Sequence, residues 1–194
     1  MQSRVLSALA ALALLLPIAG HAANFGYSWI DFSLIPVAET DIGDDDIDAD
    51  GFQLRGSLAV HQNFFALVEL EDLGYDRDVD FTRLQIGGGG FWPINNSMDI
   101  VGRLGIVRYD VDYGRFDDDD TSFFFGARLR AQVAPRVEVE GGVEYADAEV
   151  AAFGDEIFIV GEGRYHFNDQ FSVGGFVNLG DDQKKLGVYG RYNF

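Results

Sequence analysis

The sequence predicts an all-β fold, an up-and-down antiparallel barrel that crosses a membrane with its strands. Three observations carry this. Side chains alternate at a period of two along nearly every segment after the first two dozen residues, and no 3.6-residue stripe competes with it. The connections fall into two classes, short and long-acidic, which alternate strictly along the chain, as in a meander whose every second connection emerges at the same end. The polar faces hold arginine and glutamate almost exclusively, with glycine between, where a soluble surface would mix lysine, glutamate, threonine and serine.

Residues 1–22 stand apart. "MQSR" carries one arginine, "VLSALAALALLLPIA" is apolar, and "GHA" supplies small residues at an exit. These are the three parts of a cleaved secretory signal peptide. The apolar run is shorter than the ~20 residues a spanning helix needs, and Pro17 and Gly20 interrupt its end. Cleavage is expected after Ala22, leaving 23–194 as one barrel domain. The chain has no cysteine, which excludes a disulfide framework and a lipid-anchored cysteine. Asp+Glu number 32 against Lys+Arg 14, a balance that argues against nucleic acid as a partner.

Ten strands are expected, near 25–35, 51–60, 64–72, 81–92, 98–111, 122–133, 137–147, 156–167, 171–179 and 184–194, with eight or twelve as the neighbouring counts. The first has apolar residues on both faces of "FGYSWIDFSLI". Short turns fall near 61, 93, 134 and 166, and long acidic loops over 36–50, 72–80, 114–121 and 147–155, with a shorter one at 180–183. In "GFQLRGSLAV", Phe52, Leu54, Gly56, Leu58 and Val60 make one face, Gln53, Arg55, Ser57 and Ala59 the other. Phe123, Phe125, Ala127, Leu129, Ala131 and Val133 likewise oppose Arg128, Arg130 and Gln132.

With the apolar face in lipid, the polar face lines the lumen. Its expected charge network is Arg55, Glu69, Glu71, Arg83, Arg103, Arg128, Arg130, Glu138, Glu140, Glu144, Glu162, Arg164 and Arg191. Signs often oppose on neighbouring strands, within reach of each other, and the planar guanidinium suits a carboxylate in a confined place. The negative excess is therefore assigned to the long connections. Aromatics gather at both ends: Phe64, Phe91, Trp92, Phe167 and Phe171 beside short turns, and Tyr75, Tyr109, Tyr113 and Tyr145 near long loops, as in the girdles of a membrane barrel. The predicted location is the outer membrane of a Gram-negative cell.

The chain ends in "LGVYGRYNF", with Leu186, Val188, Gly190, Tyr192 and Phe194 on one face. Tyr192 and Phe194 resemble the C-terminal signal read by the barrel-assembly machinery, although Tyr189 stands where that signal usually has glycine. "DADGFQLRGSLAVHQNFFALVEL" looks like a smaller outer-membrane barrel whose second strand ends in a His-x-Asn turn. The whole of 23–194 resembles the small outer-membrane β-barrel family, the OmpA-like and OmpX-like barrels. That resemblance implies lipid, lipopolysaccharide and the assembly machinery as partners, with a surface ligand open. The family spans adhesins, envelope-stability proteins, narrow channels and a few enzymes, so membership leaves activity undetermined.

No catalytic residues and no cofactor are expected. His61 and His166 both fall beside short turns, far from a substrate at the opposite rim. No G-x-S-x-G occurs, and "GGGG" at 87–90 lacks the Lys-Ser/Thr of a phosphate loop, its place within a strand suggesting close packing instead. Asp46, Asp48 and Asp50 before Gly51 look like the start of a calcium loop, but position twelve is Ser57 rather than glutamate. What is left is weak, collective divalent-cation binding at Asp44, Asp46, Asp48 and Asp50, weighed against simple solvation of the acidic run. The expected role is a non-enzymatic envelope component, structural or for surface interaction and adhesion, with a charge-filled lumen. The alternative is a narrow porin-like channel for small solutes, and an enzyme at the rim is disfavoured.

Overall fold

Alternation at period two closes this chain on itself. The computed structural model describes residues 25–42, 45–75, 79–112, 117–147 and 156–194, with the backbone alone at 41, 42, 45, 46, 117 and 156. The signal-peptide segment 1–22, Tyr113, Asp44, Asp76 and Asp78 lie outside the described residues. Ten strands form one closed antiparallel barrel: β1 (Trp29–Ile42), β2 (Asp45–His61), β3 (Phe64–Tyr75), β4 (Val79–Asn95), β5 (Met98–Asp112), β6 (Asp117–Ala134), β7 (Val137–Ala146), β8 (Glu156–His166), β9 (Phe171–Leu179) and β10 (Gln183–Asn193). Each pairs with its sequence neighbours, and β1 closes the barrel on β10 from Trp29↔Asn193 to Thr40↔Gln183. Closure pairs every strand edge, the condition for a sheet in lipid.

The expected strand number and order hold, and the short turns fall where expected. The long-loop end differs. Residues 36–50, expected as a loop, are mostly strand: β1 runs on to Ile42 and β2 starts at Asp45. Likewise β3 reaches Tyr75, β4 starts at Val79 and β6 starts at Asp117. At the other end β1 begins at Trp29, not at residue 25. A bulge around Pro36 shifts the register of β1 against β10 between Leu34 and Val37 and against β2 between Ile35 and Ala38. Bulges are where a strand tolerates proline.

The extensions arise because alternation continues through the acidic runs with its polarity reversed. On β2, Phe52, Leu54, Leu58 and Val60 are exposed and Gln53, Arg55 and Ser57 buried. Two residues further out on the same exposed row stand Asp48 and Asp50, while Ile47 and Ala49 are buried. β3 does the same: Glu69 and Glu71 are buried, then Leu73 and Tyr75, with Val68 and then Asp72 outside. The lower wall is an apolar band carrying Ile86, Ile100, Leu104, Ile106, Phe123, Phe125, Ile157, Val173, Leu186 and Val188. Such a belt far exceeds the roughly 300–600 Å² apolar patch of a typical soluble monomer, and it suits lipid. The upper wall is acidic outside and encloses Ile35, Leu73, Phe81, Val107, Val111, Phe124 and Phe158.

The aromatic girdle is therefore corrected in part. Phe64, Trp92, Phe167 and Phe171 do face outward near the short turns. Tyr75 and Tyr109 are buried inside the upper barrel, because they share parity with Glu71 and Arg103. Phe91 also turns inward, stacked on Tyr27 at 3.8 Å between ring centroids. Tyr145 lies between the outward Phe123 and Phe125, 5.9 and 5.1 Å away.

Candidate functional site in the barrel lumen

The lumen is built in three layers. At the short-turn mouth, the segment before β1 tucks inside the barrel. The Tyr27 ring lies against Phe91 and Phe65, its hydroxyl donates to Asp99 Oδ2 at 2.9 Å, and its carbonyl accepts from Ser57 Oγ at 2.8 Å. The Arg130 guanidinium covers Phe25 and Tyr27 at 4.6 and 4.8 Å, a cation–π cap. Its far side clasps the Glu138 carboxylate, which His166 Nε2 also meets at 3.2 Å.

The middle layer is a truss of ion pairs. Asp31 receives Arg55 Nε at 2.9 Å and Arg191 Nη2 at 2.6 Å. Glu162 receives Arg55 Nη1 at 2.6 Å from β2, across the lumen, and the Tyr189 hydroxyl at 3.1 Å. Arg164 reaches Glu140 at 3.1 Å, Glu138 at 3.3 Å and Glu162 at 3.5 Å. Arg103 joins Glu69 at 2.6 Å to Glu144 at 3.2 Å, and Arg128 joins Glu144 at 3.0 Å to Glu140 at 3.3 Å. Above them Glu71 takes Lys185 Nζ at 2.6 Å, Gln53 Nε2 at 3.3 Å and Arg83 Nη2 at 3.4 Å.

These distances join eleven of the thirteen expected lumen residues in one connected set, and the other two, Glu71 and Arg83, form a second cluster above it with Gln53 and Lys185. Several chords skip strands: Lys185 on β10 to Glu71 on β3, Gln85 on β4 to Glu144 on β7 at 3.4 Å. Sequence reading missed Asp31, Asp99, Lys185, Tyr27 and Tyr189. Parity could have found all but Tyr27, which precedes the first strand. Asp31 alternates with the outward Ile30 and Phe32, and Lys185 and Tyr189 share a face with Arg191. With these added, eight cations (Arg55, Arg83, Arg103, Arg128, Arg130, Arg164, Lys185, Arg191) face eight carboxylates (Asp31, Glu69, Glu71, Asp99, Glu138, Glu140, Glu144, Glu162). Removing one member of a buried pair leaves an uncompensated charge and costs about 3–5 kcal/mol.

The third layer, toward the long loops, is an apolar core in which the Tyr75 hydroxyl lies 3.1 Å from Thr40 Oγ1. Inward glycines make room for inward rings. A Cβ on Gly89 would collide with Phe65, on Gly105 with Phe124, on Gly174 with Tyr189 and on Gly187 with Phe176. This is what "GGGG" at 87–90 does at Gly89. Cavities of about 40, 20 and 10 Å³ lie among the lumenal side chains. A water needs about 10–15 Å³ on this measure, so these hold a few small particles and no sugar-sized solute.

The remaining candidate residues are dispersed. Asp48 and Asp50 are exposed on the outer face of β2, and among the described residues no three His, Asp or Glu side chains gather as a metal cluster. His61 is exposed at the end of β2, 6.1 Å from the Phe64 ring, and His166 is occupied with Glu138. Tyr192 and Phe194 face outward, 6.3 Å apart, with Phe171 5.2 Å from Tyr192.

No family model matches the chain, and no curated protein matches it. Solved structures share its fold. An outer-membrane channel from Pseudomonas putida F1 superposes with a TM-score of 0.57 at 8% identity, over 91% of this chain and 98% of that one. The translocator domain of the autotransporter NalP from Neisseria meningitidis gives 0.53 at 13% identity, over 100% of this chain and 95% of that one. Ail, the attachment invasion locus protein of Yersinia pestis, is 17% identical over 86% of this chain and 99% of that one, with a TM-score of 0.46, too loose a fit to argue from. At these identities the likeness is one of fold, and this chain has the fold of the small outer-membrane β-barrels.

Proposed function

We propose that this chain is a non-enzymatic barrel of the Gram-negative outer membrane, a structural or surface-interaction component of the envelope whose lumen is closed. The observation that carries the reading is the ion-paired filling of the middle lumen, capped by Tyr27 and Arg130 below and by an apolar core above. Among the described residues, His61 and His166 both stand at the short-turn end, away from the long-loop rim. The apolar wall fits outer-membrane lipid and lipopolysaccharide, and Tyr192 and Phe194 would serve the assembly machinery. The acidic outer wall at the long-loop end would be the face offered to a surface ligand.

Reconstitution of pure protein in a planar bilayer tests this. The expected result is no large, stable conductance over minutes at either polarity. Stable, uniform single-channel steps from the wild-type barrel would overturn the closed lumen and favour the narrow channel instead.

A further inference from the structure

We propose that the central lumenal cavity, of about 40 Å³, is a binding site for one small monovalent anion of the halide class. Five guanidinium groups line it: Arg55, Arg103, Arg128, Arg130 and Arg191. Only three carboxylates, Glu69, Glu140 and Glu162, line it with them. The acids that balance the rest stand behind the arginines: Asp31 on Arg55 and Arg191, Glu138 on Arg130, Glu144 on Arg103 and Arg128. Among the described residues the lumen as a whole is balanced, so the positive excess is local to this cavity. A guanidinium cannot relieve it by losing a proton.

Two donors sharpen the argument. Arg103 and Arg128 are buried, and the Nε of each has no hydrogen-bond partner among the described residues. Arg103 Nε lies 3.2 Å from Glu144, outside hydrogen-bonding geometry. Buried donors of this kind are rarely left unused. A water in the cavity would leave the charge excess, whereas a halide would offset it. Leu67, Phe65 and Val101 also line it, an apolar part of the wall that suits a weakly hydrated ion.

The cavity carries its own reporter. Trp29 lines it and stacks on the Arg191 guanidinium at 3.6 Å. The chain has two tryptophans, and the other, Trp92, faces outward. The test uses the full barrel carrying Trp92→Phe, folded into detergent in sodium gluconate and titrated with bromide at constant ionic strength. Bromide quenches tryptophan on contact. The expected result is a saturable loss of Trp29 emission that chloride reverses and further gluconate does not. Adding Val101→Phe, whose ring occupies the cavity, should abolish the saturable component. Quenching that is absent, linear in bromide, or unmoved by chloride overturns the proposal, and that comparison stands even if the second variant does not fold.

Discussion

The lower and upper halves of this barrel use one backbone and one alternation but opposite polarity. In the lower half the outward rows are apolar, as at Leu54, Leu58, Ile100 and Leu104, and the inward rows hold the ion pairs of Arg55, Glu69, Arg103 and Glu162. In the upper half the outward rows carry Glu39, Asp48, Asp50, Asp72 and Asp119, and the inward rows hold Ile47, Leu73, Val107 and Phe124. The lower half is built for lipid outside, the upper for water. The strands need only about 9–11 residues to span a bilayer, yet β6 has 18 and β2 and β4 have 17. The surplus is a water-facing barrel with a conventional core, stacked on a membrane barrel. The exposed pairs of the upper wall, Arg108–Asp119 at 3.0 Å and Lys184–Glu39 at 3.6 Å, contribute little to holding it.

If the halves are held by different forces, they should break differently. The largest effect belongs to the truss. Arg128→Ala combined with Arg130→Ala strips partners from Glu138, Glu140 and Glu144, and each loss alone is worth about 3–5 kcal/mol. Urea unfolding of the barrel in lipid vesicles should show a fall larger than either single variant gives, and an unchanged midpoint would mean the pairs are not structural. Next comes the upper core. Phe124→Ala removes a side chain 1% exposed that sits over Gly105, for a loss of about 3 kcal/mol. That loss should be insensitive to salt, since packing is not screened.

The two smaller effects test the boundary itself. Leu54 and Asp48 lie on the same strand and the same outward row, six residues apart. Leu54→Lys puts a charge in lipid and should cost about 2–4 kcal/mol in vesicles, depending on depth. Asp48→Lys should change stability by no more than about 0.5 kcal/mol. Equal costs at the two sites would erase the distinction between the halves.

The fold was legible because period-two alternation survives both solvents. What misled the reading was treating acid as loop. "DIDADG" looks like a loop when apolar-out is taken as the mark of a strand, but Ile47 and Ala49 point in while Asp48 and Asp50 point out. The lumen arginines and glutamates were legible from their isolation among apolar neighbours. Asp31 was not, because Trp29 shares its face and makes "WIDFSL" look apolar on both sides, and Trp29 is there to stack on Arg191. The Tyr27 plug had no sequence signal, since its partners Phe91, Asp99 and Arg130 come from β4, β5 and β6. Which pairs of charges meet across the lumen depends on barrel closure, a long-range fact no local pattern encodes.

The absence of cysteine from the natural chain allows the polarity change to be measured at single positions. Leu54→Cys and Asp48→Cys, each in barrels reconstituted into vesicles, can be reacted with a membrane-impermeant, water-soluble maleimide. The account predicts fast labelling at position 48 and labelling at position 54 that is slower by orders of magnitude until detergent is added. Comparable rates at the two positions in intact vesicles would contradict it.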